Sequence, residues 1–266
     1  GIWNHTFSPN LLNELRANAA GWRWNEIASN PQEPWGLPND AIGTIGTVNV
    51  QNFGAPGPSV LNQWTYNYKD TLTWVLRRHT IHLGGEWTRL YYLNEVAYAA
   101  RPTFGFFNIW DFLNDAPQSE TGTFNPNTGV PTLGRQDNRE NLLGFFVQDD
   151  WKVTPSLTVN MGMRFSHFGS LYSKENNMYS VQFGAGTDWL TGINIKKGGD
   201  LWHPQTLNLG PEFGFAYSPD FWKQRFVVRG GYGINYNEEE IAISANVFGN
   251  PGLTISPSFS MGSPTS

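Results

Sequence analysis

The sequence predicts an all-β fold: an antiparallel up-and-down transmembrane β-barrel, or a segment of one with about eight strands. Three observations carry this. Apolar and polar residues alternate over runs of ten or more, the period-2 signature of a strand with one greasy and one wet face. The alternating runs come in pairs around short turns near positions 9, 78, 155 and 222, an internal repeat of about seventy residues. Long connections separate the pairs, so every short turn falls at one edge of the sheet and every long loop at the other. Short periplasmic turns with longer extracellular loops are the asymmetry of an outer-membrane barrel.

The clearest hairpin is the third. Leu143, Phe145, Val147 and Trp151 share one parity while Gly144, Gln148 and Asp150 share the other. After the Lys152 to Ser156 turn, Leu157, Val159, Met161, Met163 and Phe165 alternate with Thr158, Asn160, Gly162, Arg164 and Ser166. The second hairpin puts Trp64, Tyr66, Tyr68, Leu72, Trp74 and Leu76 on one face, turns at Arg77 to His79 and returns through Tyr92. In the fourth, Phe213, Phe215 and Tyr217 precede a turn over 219–224, and the return strand sets Val228, Tyr232 and Ile234 against Arg229, Gly231 and Asn235. The first runs from Ile2 to Trp24 around Ser8 to Asn10 with a weaker pattern. The hairpins therefore lie near 2–25, 61–93, 140–168 and 209–237. The alternation assigns Val159, Met161, Met163, Phe165, Val228 and Ile234 to lipid, and Glu86, Asn160, Arg164, Arg229 and Asn235 to the lumen.

Strand length agrees. A tilted membrane strand needs about 9 to 11 residues, and the return strands are expected to run ten to thirteen, against the 5 or 6 usual in soluble sheets. Aromatics gather towards strand ends at Trp22, Trp24, Tyr91, Tyr92, Trp151, Tyr232 and Tyr236, the levels at which interfacial girdles place rings.

Composition narrows the function classes. Lys and Arg number 17 against 22 Asp and Glu, a net charge of −5, so the basic footprint of a nucleic-acid binder is missing. There is no Cys, which removes disulfides, thiolate metal sites and catalytic thiols. No apolar run approaches the roughly 18 residues of a spanning helix. The mean hydropathy is −0.41, yet charged residues are only 15% and aromatic residues equal them. Alternation reconciles these values, because an average over a strand hides a continuous apolar face.

The chain reads as one partial barrel domain over 1–266, with long loops at 27–60, 97–138 and 171–207 and a loop-like tail over 238–266. It opens at Gly1 without Met and closes in a Ser/Pro/Gly/Thr-rich stretch, so a piece of a longer protein is expected. The loops hold Trp35, Phe106, Trp110, Trp189 and Trp202 among Asn, Gly and Pro. Such rings either grip an extracellular ligand, offering area at low entropy cost, or pack loop against loop over the barrel mouth.

Residues that suggest chemistry read better as structure. Asp149 and Asp150 are adjacent on a strand and point to opposite faces, so they cannot converge as an acid/base pair. His79 and His82, three apart, also split between faces, giving a rim histidine and a lumen histidine rather than a metal site. Glu238, Glu239 and Glu240 read as a solvated loop run, although such a run could meet a divalent cation or the cations that bridge lipopolysaccharide phosphates. The glycines of 230–233 lie inside a strand with no helix following, so they permit curvature rather than cradle phosphate. No catalytic, cofactor-binding or metal-ligating residue is assigned, and the chain is not expected to be an enzyme.

From Gly144 to Arg164 the wording Gly-Phe-Phe-Val-Gln-Asp-Asp-Trp-Lys-Val-Thr-Pro, followed by Leu157-Thr-Val-Asn-Met-Gly-Met-Arg164, resembles the barrel of TonB-dependent outer-membrane transporters. The likeness is strongest to the Oar-like branch, whose members carry a carboxypeptidase-regulatory-like domain. Residues 5–16, 79–87, 213–218 and 228–234 resemble the same family, and 106–113 resembles a segment of one of its external loops. The resemblance implies energised uptake of a bulky nutrient such as a siderophore, oligosaccharide or peptide across the outer membrane. It implies as partners outer-membrane lipid and lipopolysaccharide, an unknown extracellular substrate and the TonB energy-coupling complex, the last through parts outside these residues. These 266 residues contain no plug domain, no TonB box and no regulatory-like domain, and show eight strands against the 22 of plugged transporters.

Two other readings remain at this point. One is a small non-transporting barrel or surface-assembly module. The other is a soluble aromatic-rich carbohydrate-binding β-sandwich, in which the apolar face would be covered by a second sheet.

Overall fold

The computed structural model describes residues 1–26, 39–43, 59–96, 102–132, 134–198, 204–219, 226–238, 240–241 and 252–260. In chain order the elements are β1 (Ile2–Ser8), β2 (Leu11–Glu26), β3 (Asn39–Ile42), β4 (Ser59–Leu76), β5 (His79–Val96), β6 (Thr103–Phe106), α1 (Ile109–Leu113), β7 (Ser119–Thr121), β8 (Gln136–Thr154), β9 (Leu157–Phe168), β10 (Tyr172–Ser173), β11 (Tyr179–Gln182), β12 (Asn194–Lys197), β13 (Gln205–Tyr217), β14 (Val228–Gly233) and β15 (Ser258–Ser260). The wall is the antiparallel meander β1-β2-β4-β5-β8-β9-β13-β14, with β10 pairing on β8 beyond the end of β9. Among the described residues its edge strands β1 and β14 do not pair with each other.

Register converts the alternation into two faces, because residues directly opposite in a ladder share a side. Met163 pairs with Val147 and Pro211, and Phe165 with Phe145 and Leu209, on the outer face. Arg164 pairs with Phe146 and Gly210 on the inner one. Met161, Met163, Val228 and Ile234 are exposed, and Val159 and Phe165 are half-buried between neighbouring strands. Among the described residues no second sheet covers this apolar face, which removes the sandwich alternative. The outer face has polar exceptions. Asp70 lies on it and accepts a hydrogen bond from Asn13 at 2.6 Å.

Several strands are longer than the alternation predicts. β4 and β5 have 18 residues each and β8 has 19, so at roughly 3.3 Å per residue they reach about 60 Å. An apolar band ~25 Å tall uses only part of that. On β8 the outer parity from Leu143 to Trp151, apolar except at Asp149, matches the required membrane length. Beyond Leu143 the outer parity turns polar at Asn141, Arg139 and Asp137. The wall therefore continues past the membrane on the loop side, where the sequence shows little alternation to mark it.

Aromatics divide differently from the expected girdle. Trp22 pairs with Gln63, Trp24 with Leu61, and Tyr92 with Gln63 and Asn138, which places all three on the inner face. The outer ring on the loop side includes Trp64, Tyr66 and Tyr91, with Arg139 stacked 5.2 Å from the Tyr91 ring. Neighbouring glycines give these rings room. The Trp64 indole lies where Gly21 lacks a side chain, and Phe215 covers Gly230 in the same way.

Two substitutions test the assignment of faces. Met163→Arg places a charge among Val147, Leu83 and Pro211 and is expected to cost about 2 to 4 kcal/mol, whereas Thr158→Arg on the inner face is expected to cost under about 1 kcal/mol; urea unfolding in lipid vesicles reads the difference. Gly21→Val pushes Trp64 off its seat and is expected to cost about 1 to 3 kcal/mol, seen as a lower temperature for the heat-induced gel-mobility change.

Candidate functional site

The inner face carries a polar ladder across four strands. Glu86 on β5 accepts from Asn67 Nδ2 on β4 at 2.8 Å, and the same Asn67 group lies 2.7 Å from Thr88 Oγ1. From the other side Arg164 on β9 reaches Glu86 at 3.2 Å, passing over the intervening strand. That span is possible because β8 presents Gly144 there: a Cβ at this position would sit 2.7 Å from the guanidinium. Nearer the turns, Asp150 accepts from Asn160 at 2.6 Å and Gln148 at 3.0 Å, with His82 Nε2 at 3.8 Å. Lys69 lies 5.2 Å above the Phe146 ring, which occupies the space left by Gly84.

The sequence-derived lumen residues thus fall into separate groups. Glu86 and Arg164 form one ion pair, and Asn160 belongs to the Asp150 cluster. Arg229 and Asn235 lie on or just past β14 at the wall's edge, where both are exposed. Arg229 lines a cleft of about 530 Å³ with Gln148, Asn160 and Glu212, floored by Gly162 and Gly214. Asp149 and Asp150 separate as their adjacency requires. Asp149 accepts from His79 Nδ1 at 2.7 Å on the outer parity, and the His79 ring stacks on Trp151 at 5.4 Å.

Above the membrane band the wall's extension is covered from within. Leu90 and Tyr92 of β5 are buried with Leu171, Met178 and Ile241, and Leu61 and Leu142 pack against them. Ile241 arrives by a segment that leaves the edge strand β14 and crosses back over the inner face. Its residues 236–238 roof a cavity of about 260 Å³ lined by Glu86, Thr88, Gly144, Arg164 and Ser166. Glu238 consequently turns inward and is half-buried, Glu240 is exposed, and Glu239 lies outside the described residues. Glu140 on β8 is fully buried nearby, beyond the apolar band, with one carboxyl oxygen unpartnered. Burial first, and the Glu238 charge second, raise its pKa to about 7. Among the described residues no group of three or more His, Asp or Glu side chains is placed to hold a metal ion.

Two of the long loops and the tail knit into a cap. Its sheet has the order β15-β7-β6-β3, with β3 and β6 parallel. Phe124 bridges both Pro131 and Ile255. Asn108 caps the short helix α1, its Oδ1 accepting from the backbone N of Trp110 at 2.8 Å and of Asp111 at 3.1 Å. This turn projects Phe107 (68% exposed), Trp110 (65%) and Leu113 outward. Phe106 does not join them. It is 8% exposed and packs edge-on against Phe112 at 5.2 Å, because β6 turns it inward, so it belongs to the cap's interior. Trp189 is exposed on a separate hairpin, 5.9 Å from Phe183. Trp35 and Trp202 lie outside the described residues. The exposed partners Leu113, Phe183 and Leu190 escaped the sequence reading, which passed over the aliphatic neighbours of the loop rings and the ring at 183; for Leu113, Asn108 at the helix start was the available signal.

Two expectations follow. With a free-chain pKa near 4.5 and a folded value of about 7, Glu140 binds a proton on folding. Its protonated form matches the buried site, so its contribution to stability is fully present below pH 4.5, falls as pH rises from there, and is lost above about pH 7. Glu140→Gln is expected to flatten that slope, measured by urea unfolding between pH 4.5 and 8. Gly144→Val is expected to displace Arg164 from Glu86 and cost about 1 to 3 kcal/mol, with Arg164→Met losing little further stability in the Gly144→Val background.

No curated protein sequence matches the chain. The open form of the ferric-catecholate import receptor Fiu from E. coli K12 is a similar solved structure, with 14% identity and a TM-score of 0.37, covering 80% of this chain. The chain spans 32% of that receptor. A family model described as an outer membrane beta barrel domain matches residues 1–266, the whole of the sequence. With an apolar outer face, a polar inner face and loops gathered at one end, the chain belongs to the outer membrane β-barrel domain family and resides in the cell outer membrane.

Proposed function

We propose that this chain forms part of the wall of a TonB-dependent transporter that brings a bulky nutrient such as a siderophore, oligosaccharide or peptide across the outer membrane. The observation that carries the reading is the inner face. Asn67, Lys69, Glu86, Gln148, Asp150 and Arg164 line it with charge and hydrogen-bonding capacity. A small closed barrel instead fills its interior with its own side chains. A polar wall suits a water-filled lumen or a folded polar domain lodged within it. The wording of residues 144–164, which resembles the Oar-like branch, supports the same reading, and the TonB complex would act through parts outside this chain.

The cap is the natural place of first contact. Phe107, Trp110 and Leu113 present an apolar patch on a loop sheet rather than on a free loop, so little ordering is left for a ligand to cost.

Deleting the coding sequence tests the proposal. The mutant is expected to lose growth on one limiting source among siderophore-bound iron, an oligosaccharide or a peptide, and a protonophore is expected to impose the same loss of uptake on the parent. Unchanged growth on every source overturns the transporter reading. Trp110→Ala is expected to weaken capture of the identified nutrient about tenfold, equivalent to ~1.4 kcal/mol, without altering barrel assembly, as read by whole-cell binding and by the gel-mobility change.

A further inference from the structure

The segment that crosses back over the inner face is held there by very few contacts. Ile234 N donates to the Pro211 carbonyl at 3.0 Å, the last backbone bond from this part of the chain to β13 among the described residues. Beyond it, among the described residues, no hydrogen bond or ion pair ties 236–238 or 240–241 to the wall. Tyr236 and Asn237 are exposed. The anchor is Ile241, 2% exposed in the cluster with Leu90, Tyr92, Leu171 and Met178. A laddered strand would stay in place whatever the charges around it. This crossing depends on one apolar side chain and on the groups that face its carboxylate.

Those groups are mostly acidic. Glu238 of the segment bears on Glu140 of β8, and Glu86 of β5 bears on Glu238. Arg164 of β9 is the cation at the cavity beneath, and it is already committed to Glu86 at 3.2 Å. Lys69 of β4 lies over the Phe146 ring. The remaining neighbours on β5 and β9, Thr88, Leu90, Ser166 and Phe168, are uncharged. Glu140 is buried with Oε2 unpartnered. A carboxyl so placed is tolerated as the neutral acid, whereas its carboxylate would face a second carboxylate away from water. Burial first, then the neighbouring carboxylate, holds both Glu140 and Glu238 towards the protonated form.

Loss of that proton has one cheap remedy. β8 is laddered to β5 on one side and to β9 and β10 on the other, so Glu140 cannot leave. The segment can, because little binds it. Lifting it hydrates both carboxylates and opens the cavity of about 260 Å³, with Glu86 and Arg164 in its lining.

We propose that residues 236–241 are a proton-controlled strap, laid across the inner face while Glu140 is protonated and released when Glu140 ionises. The absence of Cys makes the test direct. In the full chain, Glu240→Cys on the strap and Thr154→Cys at the end of β8, both exposed, receive spin labels. The protein is reconstituted in lipid vesicles with a metal chelator, and pulsed electron paramagnetic resonance reads the distance between labels after the pH is set. One narrow distance is expected at pH 5, and at pH 8 a second, broader population several-fold more abundant than at pH 5. Glu140→Gln, which keeps the shape of the neutral acid, is expected to hold the narrow distance at both pH values. Glu238→Gln removes one of the two facing charges and is expected to shrink the broad population at pH 8. The same distribution at pH 5 and pH 8 in the labelled parent overturns the proposal. So does a pH response that persists undiminished in Glu140→Gln, since the strap would then answer to another group. Where Glu140→Gln fails to insert, the Glu238→Gln comparison decides in the same way.

Discussion

Lipid offers the backbone no hydrogen-bond partner, and the rest of this molecule follows from that constraint. Each strand crossing the apolar band must be laddered on both sides, which forces neighbours into a continuous antiparallel meander and forces side chains to alternate between hydrocarbon and lumen. Two carboxylates that stand on the outer parity come with partners: Asp70 has Asn13, and Asp149 has His79. Polar groups on the inner parity are likewise bound to one another, as in the chain from Asn67 through Glu86 to Arg164. Crowding between such groups is relieved by glycine. Gly144 gives Arg164 its path, and Gly21 and Gly230 give rings theirs.

What could be read from the sequence follows from the same physics. Leu157 to Phe165 announced its faces because lipid and lumen are chemically opposite, so a period of two is written plainly there. The separation of Asp149 from Asp150, and of His79 from His82, needed only the parity of a strand. The legible signal fades where the wall leaves the membrane. Residues 59–63, 90–96 and 136–142 extend the strands in surroundings where both faces meet protein or water, so Leu90 and Tyr92 bury while Gln136 and Asn138 bury beside them. Trp22 and Trp24 misled for a related reason: a ring near a strand end suits an interface, but only register says which face it occupies.

Contacts between distant loops are the least legible of all. Phe106 reads as one more loop aromatic until β6 is seen to pair with β3 and β7 and turn it inward. The burial of Glu140 depends on a segment more than ninety positions later doubling back over the wall. Neither arrangement has a local pattern, because the partners are far apart in sequence and their pairing is decided by the wall that brings their ends together. A cluster of three glutamates at 238–240 carries no hint that its first member turns towards a buried carboxyl.

The woven cap orders events in time. Its strands come from residues 39–42, 103–106, 119–121 and 258–260, and each of those segments is separated from the next by at least one crossing of the wall, except the adjacent pair β6 and β7. The pairing of β15 with β7 joins positions well over a hundred residues apart, a loop closure that gains nothing until the intervening hairpins have placed both ends on the same side. Apart from the local pair β6 and β7, the segments must therefore reach the cell exterior separately before the four-stranded cap can close. Its completion marks the end of assembly: an exposed α1 held in register by its sheet is a surface that only a fully inserted chain can display.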